Sequence, residues 1–309
     1  MKCVIFGGTG FIGRALSSYW LKEGHEVLVV SRTKTTDAPE AMGRTSGPTF
    51  WTWDELRKDP SPLEGSHVFV NLAGATLSQR WTAKAKRSIL ESRLKTTREV
   101  ARLSKLYTPG PEVIVQASAV GIYGTSYNRE FTENDQREQG RSDFLSEVTE
   151  QWEAAAEEGF AGRRLVKLRT GVVLGNNGGA FPLMRLPFLL GGGGKIGTGR
   201  QWVPWIHLHD QVRLIDFCVK HPSISGPVNA VSPSPVTNQQ FGSSIGRVYH
   251  RPNWFPLPGP LLKLLLGEMS MLLLEGQKVL PTAALQAGFT FAYPGLEEAL
   301  TALKSSKQF

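Results

Sequence analysis

The stretch FGGTGFIG at residues 6–13 limits the possible folds of this 309-residue chain more than any other feature. It follows the apolar stretch KCVIF and opens the amphipathic stretch FIGRALSSYWLKEG, so it lies between a predicted strand and a predicted helix. Three of its glycines have the spacing GxxGxxG: Gly7, Gly10 and Gly13. A bound pyrophosphate needs backbone N–H groups at a helix N-terminus, and side chains there would keep it away. The stretch therefore predicts a dinucleotide-binding turn; the alternative is a tight turn with a purely structural role.

Strands and helices alternate through the first half of the chain. Predicted strands follow the first one at 25–30, 67–74, 112–118 and 164–174, and predicted helices lie at 11–24, 82–105 and 142–158. Strands that are separated by helices favour a parallel sheet that is covered on both faces. The sequence therefore predicts an α/β fold with a Rossmann-like, doubly wound parallel sheet and helices on both faces.

The residues after the second strand indicate which dinucleotide binds. In NAD-binding proteins a carboxylate near this point accepts hydrogen bonds from the ribose 2′-hydroxyl. Here the strand ends at Val30 and is followed by Ser31, Arg32, Thr33 and Lys34, without a carboxylate. A cation and hydroxyls suit the 2′-phosphate of NADP(H) instead. The alternative is that Arg32 and Lys34 are ordinary loop charges.

The pattern of elements changes near residue 175, where Gly- and Pro-rich loops with shorter elements begin. We therefore predict an NADP-binding Rossmann domain at 1–175, to which 200–230 return. The remainder, 176–309, is predicted to form a smaller lobe that binds the substrate.

Composition excludes several classes of protein. Two cysteines, Cys3 and Cys218, form neither a disulfide framework nor a metal site, and they favour a reducing compartment. The net charge is +8, but the basic stretch 80–105 lacks interleaved aromatic residues, so we expect no nucleic-acid partner. The apolar run 261–274 is too short to span a bilayer and contains two charges, so we expect a core-packed helix. No signal peptide is recognisable, and we expect a cytoplasmic protein without a membrane anchor.

Several further stretches carry a resemblance to a known family. They are NLAGA (71–75), ASAVGIYG (117–124), LRTGVVLG (168–175), GTGRQWVPWIHLHD (197–210) and SPSPVTNQQF (232–241). Together with the glycine stretch, they resemble the extended form of the short-chain dehydrogenase/reductase superfamily, whose members are NAD-dependent epimerases and dehydratases. The closing stretches LLLEGQKVLP (272–281) and GFTFAYP (288–294) resemble the small C-terminal domain of atypical epimerase family proteins (the YfcH type). That domain would cover 248–297.

The resemblance implies a set of cofactor contacts. Leu72 and Ala73 would lie along the adenosine, and Val173 would touch the nicotinamide end. Glu91, Ser92 and Arg93 match an ESR-type motif of the group, which makes Arg93 the expected contact among the nine bases between Arg80 and Lys105. The complete predicted set is Gly7, Gly10, Phe11, Ile12, Gly13, Ser31, Arg32, Leu72, Ala73, Gly74, Ser88, Arg93 and Val173.

Superfamily oxidoreductases use a Ser after the fifth strand and a Tyr-x-x-x-Lys pair on the next helix. Residues i and i+4 share a helix face, so the Lys ammonium lowers the pKa of the Tyr, which passes a proton to the substrate. Here the matching positions of the helix 142–158 are Phe144 and Val148, and no Tyr-x-x-x-Lys occurs elsewhere in the chain. Ser118 and Tyr123 are the remaining candidates for a catalytic hydroxyl.

Other polar residues are weaker candidates. Glu133 and Asp135 are predicted to be solvated loop charges, although either could supply a carboxylate. His207 and His209 are predicted to alternate across a short strand, and Asp210 to cap the helix that follows. We expect no metal site. The stretch with Gly197, Gly199, Arg200 and Gln201 fits either an anion cradle or a flexible lid.

Two functions remain open from the sequence. The first is an NADP(H)-dependent, epimerase-like oxidoreductase that acts on an unidentified small molecule without the usual Tyr-Lys pair. The second is a non-catalytic NADP(H)-binding protein that senses redox state and regulates a partner. The chain is expected to be a monomer or a homodimer.

Overall fold

The computed structural model describes residues 1–33, 47–135 and 143–305. Its strands are β1 (Lys2–Phe6), β2 (Glu26–Ser31), β3 (Thr49–Thr52), β4 (Val68–Asn71), β5 (Val113–Ala119), β6 (Glu130–Phe131), β7 (Arg164–Thr170), β8 (Val172–Leu174), β9 (Trp202–Val203), β10 (Trp205–His207), β11 (Gly226–Ala230), β12 (Val236–Thr237) and β13 (Lys278–Val279). Its α-helices are α1 (Phe11–Lys22), α2 (Trp53–Lys58), α3 (Ala83–Leu103), α4 (Phe144–Gly159), α5 (Phe181–Leu189), α6 (Leu208–Lys220), α7 (Asn238–Tyr249), α8 (Gly259–Leu266), α9 (Met271–Leu274), α10 (Thr282–Gln286) and α11 (Leu296–Ser305).

Seven strands form one parallel sheet in the order β3-β2-β1-β4-β5-β7-β11. The chain moves outward in one direction from β1 to β3 and in the other from β4 to β11. The order therefore reverses between β1 and β4, and their carboxyl ends form the crevice where ligands bind in doubly wound sheets. The predicted fold class is confirmed.

Side chains of successive strand residues point to opposite faces, and each face has its own core. In β1, Cys3 and Ile5 pack with α1 and α6, where Trp20 and Ile215 are fully buried. The intervening Val4 and Phe6 pack against the other face, which α2, α3 and α4 cover. Helices therefore lie on both sides of the sheet, which explains why the strands are apolar along almost their whole length.

The remaining elements form a lobe beside the sheet's carboxyl edge. Its own core joins α5, α7 and α11 with β8, β9 and β10 through Phe181, Phe241, Trp205 and Leu300. The lobe also contacts the main sheet, because α10 packs on β11, while β13 pairs with β6 in a separate two-stranded sheet. None of the helices in the described part of the chain has the length and apolar character of a membrane span.

Three local predictions differ from the structure. The predicted strand 164–174 is broken at Gly171, and the part after the break, β8, pairs with β10 outside the main sheet. The predicted helix 142–158 begins at Phe144, because Asp143 is its N-cap and accepts from the N–H groups of Leu145 and Ser146; residue 142 lies outside the described residues. The run 261–274 is not a core-packed helix: α8 ends at Leu266, a 3₁₀ turn follows, and of its eight leucines four are exposed and only Leu262 is buried.

Candidate functional site

The glycine stretch forms a tight turn at the crevice between β1 and β4. Gly7 has a φ of +80°, which favours glycine, and a Cβ atom on it would lie 2.8 Å from the backbone nitrogen of Ala73. A Cβ atom on Gly13 would lie 2.6 Å from the Cα atom of Gly8. Both glycines are therefore required for the close approach of three backbone segments, namely the end of β1, the start of α1 and the segment after β4.

The N-terminus of α1 faces this crevice, and no capping side chain accepts a hydrogen bond from its backbone N–H groups. Gly10 is the N-cap and offers no side-chain hydrogen bond, and the first turn contains no acidic residue. Phe11, Ile12 and Gly13 therefore present backbone N–H groups that have no acceptor within the helix. Such an end carries a partial positive charge and is a binding site for a phosphate group.

The end of β2 supplies a cation, in addition to the partial positive charge at the N-terminus of α1. Ser31 is buried and its hydroxyl donates to the carbonyl oxygen of Thr33, so it holds the turn that presents Arg32. Arg32 is exposed, and it forms no ion pair with any residue of the described ranges. Lys34, the other predicted cation, lies outside the described residues.

The end of β4 and the helix α3 enclose the opposite side of the crevice. Asn71 anchors the segment after β4, because its side chain bonds Gln116 and accepts from the backbone N–H of Ala73 at 3.2 Å. Further along, the hydroxyl of Ser92 accepts from the N–H of Ala75 at 3.0 Å. Leu72, Ala73 and Gly74 are therefore fixed beside α3, whereas Ser88 is exposed on its surface.

Arg93 is a half-buried cation of this region. Its Nη1 donates to the carbonyl oxygens of Ala75 and Ile89, each at 3.0 Å, and the guanidinium carbon lies 4.9 Å from the ring centroid of Trp152. Burial lowers the pKa of Arg93 to about 10. None of the carboxylates that the structure describes forms an ion pair with it, so its charge is available to an anionic ligand.

Phe11 links the glycine turn to the loop after β8. Its ring lies against Gly175, Gly178 and Gly179, where an added Cβ atom would come within 2.5 to 3.0 Å of ring atoms. Val173 of β8 is buried and belongs to the core on the α1 and α6 face. The structure therefore brings Phe11 and the strand of Val173 together at one edge of the crevice.

The α4 face that would carry the Tyr-Lys pair is apolar and covered. Phe144 and Val148 belong to a cluster with Trp81 and Met269, and the rings of Trp81 and Phe144 are 5.1 Å apart in an edge-to-face contact. Trp152, on the same face, donates from its indole to Thr97 of α3 at 3.0 Å. These three positions of the helix are packing residues in the structure.

The two candidate hydroxyls are both buried and both bonded. Ser118 donates to Glu153 Oε1 at 2.6 Å, and Tyr123 donates to Asn229 Oδ1 at 2.8 Å while it accepts from Arg169 Nη1. Burial raises the pKa of Tyr123 to about 12, against the lowering influence of the Arg169 charge. A catalytic role for Ser118 or Tyr123 stays a prediction, and these bonds argue against proton transfer from either.

Sequence reasoning missed the charged pair behind these hydroxyls. Arg169 of β7 bonds Glu153 of α4 in a bidentate arrangement, with Nε and Nη2 each 2.9 Å from a carboxylate oxygen. Lys167 lies 3.1 Å from the same carboxylate. Burial alone would raise the pKa of Glu153, but the bonds and charge of Arg169 lower it. Two cations at alternate positions of a buried strand are the sequence signal that could have indicated this pair.

The polar residues predicted in the second half have structural roles. His207 ends β10 and caps α6, because its Nδ1 accepts from the N–H of His209; the two do not alternate on a strand, since His209 lies in the helix. Asp210 is not the cap that was predicted. It lies within the first turn of α6 and accepts from the N–H groups of Ala292 and Tyr293, each at 2.8 Å.

Most of the other polar loop residues also have structural roles. Glu133 is buried instead of solvated, and it accepts from the N–H of Asn229 at 2.9 Å. Asp135 closes its own turn with Thr132. Gln201 is buried and bonds backbone carbonyls within the lobe, whereas Arg200 is exposed. No group of three or more possible metal ligands occurs among the residues that the structure describes.

Comparisons with known proteins agree with this geometry. A sequence model described as the NAD dependent epimerase/dehydratase family matches residues 3–230, and one described as a domain of unknown function (DUF1731) matches residues 257–303. The epimerase family protein YfhF of Bacillus subtilis (strain 168) is 42% identical over 100% of this chain and 99% of its own length. The epimerase family protein SDR39U1 of Homo sapiens is 36% identical over 97% of this chain and 98% of its own.

A solved structure shares the fold over its full length. The crystal structure of human epimerase family protein SDR39U1 (isoform 2) with NADPH has a TM-score of 0.89 and 35% identity, and the match covers 99% of this chain and 100% of that chain. Together with the glycine turn between β1 and α1, these matches show that the chain belongs to the NAD-dependent epimerase/dehydratase family.

Proposed function

We propose that the protein binds NADP(H) in the crevice between β1 and β4 and uses it as an oxidoreductase on a small molecule, without a Tyr-x-x-x-Lys pair. The observation that carries the proposal is the uncapped N-terminus of α1, which lies beside a turn that presents the exposed Arg32. The crystal structure of the human relative with NADPH supports the same cofactor. We expect the protein to work in the cytoplasm.

The residues of the crevice fit this cofactor. The glycine N-cap of α1 places no side chain over the end of the helix, so a pyrophosphate can approach the N–H groups of α1. Arg32 would pair with the 2′-phosphate, and Arg93 would face a second anionic or ribose group. The proposed contact set is Gly7, Gly10, Phe11, Ile12, Gly13, Ser31, Arg32, Leu72, Ala73, Gly74, Ser88, Arg93 and Val173, within a Rossmann domain at 1–175 to which 200–230 return.

The chemistry of the site follows from what α4 lacks. NADPH, when bound, supplies a hydride, and the substrate atom next to the acceptor carbon then takes up a proton. Phe144 and Val148 cannot deliver that proton, and Tyr123 is already bonded to two partners. We therefore assign the proton to water at the entrance of the cleft, while the apolar cluster that Trp81 and Met269 form with α4 excludes water from the reacting carbon.

Protonation by water limits which substrates can react and how fast they can react. A positioned acid or base contributes roughly 10²–10⁴ in rate, and that contribution is missing when water protonates the product. An activated alkene such as an enone, or a strongly polarised carbonyl, tolerates the loss best, because its negative charge is delocalised before it is protonated. We expect turnover with substrates of this kind and none with simple ketones.

The second candidate function is NADP(H) binding without turnover. The observation in its favour is that Trp81 and Met269 cover the α4 face on which a substrate would be expected to lie. The size of the lobe beyond residue 175 favours the enzyme, because holding a cofactor does not require a second lobe.

The cofactor is tested by titrating NADPH and NADH into the wild type and Arg32→Asp. A charge-assisted hydrogen bond contributes about 1.5–3 kcal/mol, so the variant should bind NADPH about 10- to 100-fold more weakly and NADH about equally. Lys105→Asp is the matched control, because Lys105 is an exposed cation that follows α3 at the opposite edge of the sheet. Equal affinity of the wild type for both cofactors would contradict the assignment.

Turnover is tested by following NADPH absorbance with a panel of enones, carbonyl compounds and simple ketones. Tyr123→Phe should keep most of the activity if water delivers the proton, and a loss of more than about 100-fold would return the proton to Tyr123. Tight binding of NADPH with no consumption across the panel would favour the second function.

A further inference from the structure

The lobe exposes large apolar side chains on two helices. Leu183 of α5 is 64% exposed and Leu190, directly after that helix, is 77% exposed, and on α8 Leu264 is 78% and Leu265 is 61% exposed. Only Leu262 of α8 is buried. Large exposed apolar side chains that cluster on a protein surface are commonly part of a binding site.

We treat the two helices as one surface, because the segment that follows α5 and the segment that precedes α8 run side by side. Trp254 donates its backbone N–H to the carbonyl oxygen of Gly193 at 3.0 Å and its indole N–H to that of Gly191 at 3.0 Å. Leu257 donates to the carbonyl oxygen of Lys195 at 2.9 Å, just before α8 begins. Trp254 itself is 74% exposed between the helices. We call this region the leucine surface: Leu183, Leu186, Leu190, Trp254, Leu261 and Leu264.

The exposed charges on the segments of the leucine surface are cations, and the acid that directly follows α8, Glu268, is paired with Lys86. Lys195, Arg251 and Lys263 are exposed on its segments, and none of them forms an ion pair with a residue that the structure describes. The only acids between residues 176 and 267 are Asp210 and Asp216, and both are buried. A second copy of the chain would bring these cations together across the interface, so the charge favours an apolar partner that carries negative charge.

The leucine surface leads into the predicted reaction site. Directly after α8, Glu268 forms an ion pair with Lys86 of α3, and Met269 joins the cluster of Trp81 and Phe144 on α4. One continuous piece of the lobe therefore connects the exposed leucines with the apolar wall beside the cofactor crevice.

We propose that the leucine surface binds the hydrocarbon part of the protein's own substrate, an amphipathic molecule with an aliphatic chain and an acidic group. The chain lies on the leucines and Trp254, the acidic group pairs with a cation of the set Lys195, Arg251 and Lys263, and the chain continues toward Trp81. This inference rests on the proposed function, of which it names the substrate class. An aliphatic chain covers the exposed side chains of α5 and α8, and the acid matches the cations around them.

Dodecanoate, used below its micelle concentration with the NADPH-loaded protein, tests the proposal. Calorimetry should give saturable binding, and the tryptophan emission should shift to the blue in the wild type but not in Trp254→Phe. Leu264→Asp should weaken binding at least tenfold. Leu106→Asp is the matched control, since Leu106 is 41% exposed but lies after α3, away from the lobe, and it should leave binding unchanged.

A charge variant separates the two parts of the ligand. Lys263→Glu should weaken dodecanoate several-fold and leave dodecanol, which has the same chain without the acid, unaffected. Equal losses for both ligands would overturn the assignment of the acidic group.

Three other results would overturn the whole proposal. They are binding only to anionic vesicles, equal weakening by Leu106→Asp, and a wild-type dimer that Leu264→Asp dissociates while neither form binds dodecanoate. NADPH affinity is measured on the same samples. Normal NADPH binding without dodecanoate binding removes this inference alone, whereas a loss of NADPH binding by the wild type removes the proposed function.

Discussion

Glu153→Gln is expected to destabilise the protein strongly, because it leaves Arg169 as a buried charge without its carboxylate. Arg169 is 7% and Glu153 is 5% exposed, and two hydrogen bonds of 2.9 Å join them. Breaking such a pair by removing one partner costs about 3–5 kcal/mol. We expect the lower end, about 3 kcal/mol, because Arg169 keeps the hydroxyl of Tyr123 and the carbonyl of Glu133 as acceptors.

Urea unfolding, followed by circular dichroism at neutral pH, measures this loss in the free energy of unfolding. Glu157→Gln is the matched control: Glu157 lies one turn further along α4 and pairs with Lys167, but its side chain is 59% exposed. It should change the stability by less than about 0.5 kcal/mol. The double variant Glu153→Leu with Arg169→Met should be more stable than Glu153→Gln, since it leaves no buried charge unpaired.

The pH dependence gives an independent check of the same pair. Because the folded protein holds the pKa of Glu153 below its ordinary value of 4.5, the pair contributes stability above that value and loses it as the pH falls through the lowered pKa. The gap between wild type and Glu153→Gln should therefore shrink in acid. The reasoning would be refuted if Glu153→Gln cost less than about 1 kcal/mol at neutral pH, or no more than Glu157→Gln.

Two further changes test other parts of the structure. Gly13→Ala would place a Cβ atom 2.6 Å from the Cα atom of Gly8, so it should lower the free energy of unfolding by about 1–3 kcal/mol and weaken NADPH binding at least tenfold. Gly192→Ala is the control, because the atom nearest to the added Cβ is 3.8 Å away. A calorimetric titration of this control should give the wild-type affinity for NADPH. Burial lowers the pKa of His207 to about 4 from 6.5, so stability is present above pH 6.5 and is lost between pH 6.5 and about 4. His207→Asn keeps a side-chain cap for α6 and should remove up to about 3 kcal/mol of this pH dependence in urea unfolding. Equal pH profiles for wild type and variant would contradict that assignment.

Sequence patterns predicted the elements of the fold that are determined by residues close together in the chain. The glycine turn, α1 and the apolar strands follow from spacing and periodicity, because neighbouring residues determine them. The strand β3 could not be found in this way: Thr49–Thr52 has no apolar run, and it becomes a strand by pairing with β2. The break at Gly171 is equally non-local, since a Cβ atom there would lie 2.4 Å from the carbonyl oxygen of Pro204.

The leucine-rich run of α8 shows a different limit of sequence reasoning. Periodicity states that a helix has an apolar face, but it does not state what covers that face. The run 261–274 was predicted to be a helix packed in the core, whereas in the structure Leu261 and Leu264 are exposed to water. The role of Asp210 was missed for a related reason, because the N–H groups of Ala292 and Tyr293 that it bonds are distant in the sequence and are brought to α6 by the tertiary structure.

The absence of the Tyr-Lys pair is one part of a consistent change in the site. Val148 is 4% exposed in a cluster with Trp81 and Met269, and Phe144 packs edge-to-face on Trp81. A Lys at position 148 would lose its hydration there without gaining a carboxylate, so burial would lower its pKa and favour the neutral amine. A Tyr at position 144 would then lack the charge that activates it. Restoring two residues on α4 would therefore not restore the superfamily reaction, because Trp81 and Met269 have made the surroundings of α4 apolar. The same covering residues join α4 to the leucine surface, so the amphipathic substrate that we propose would contact both regions.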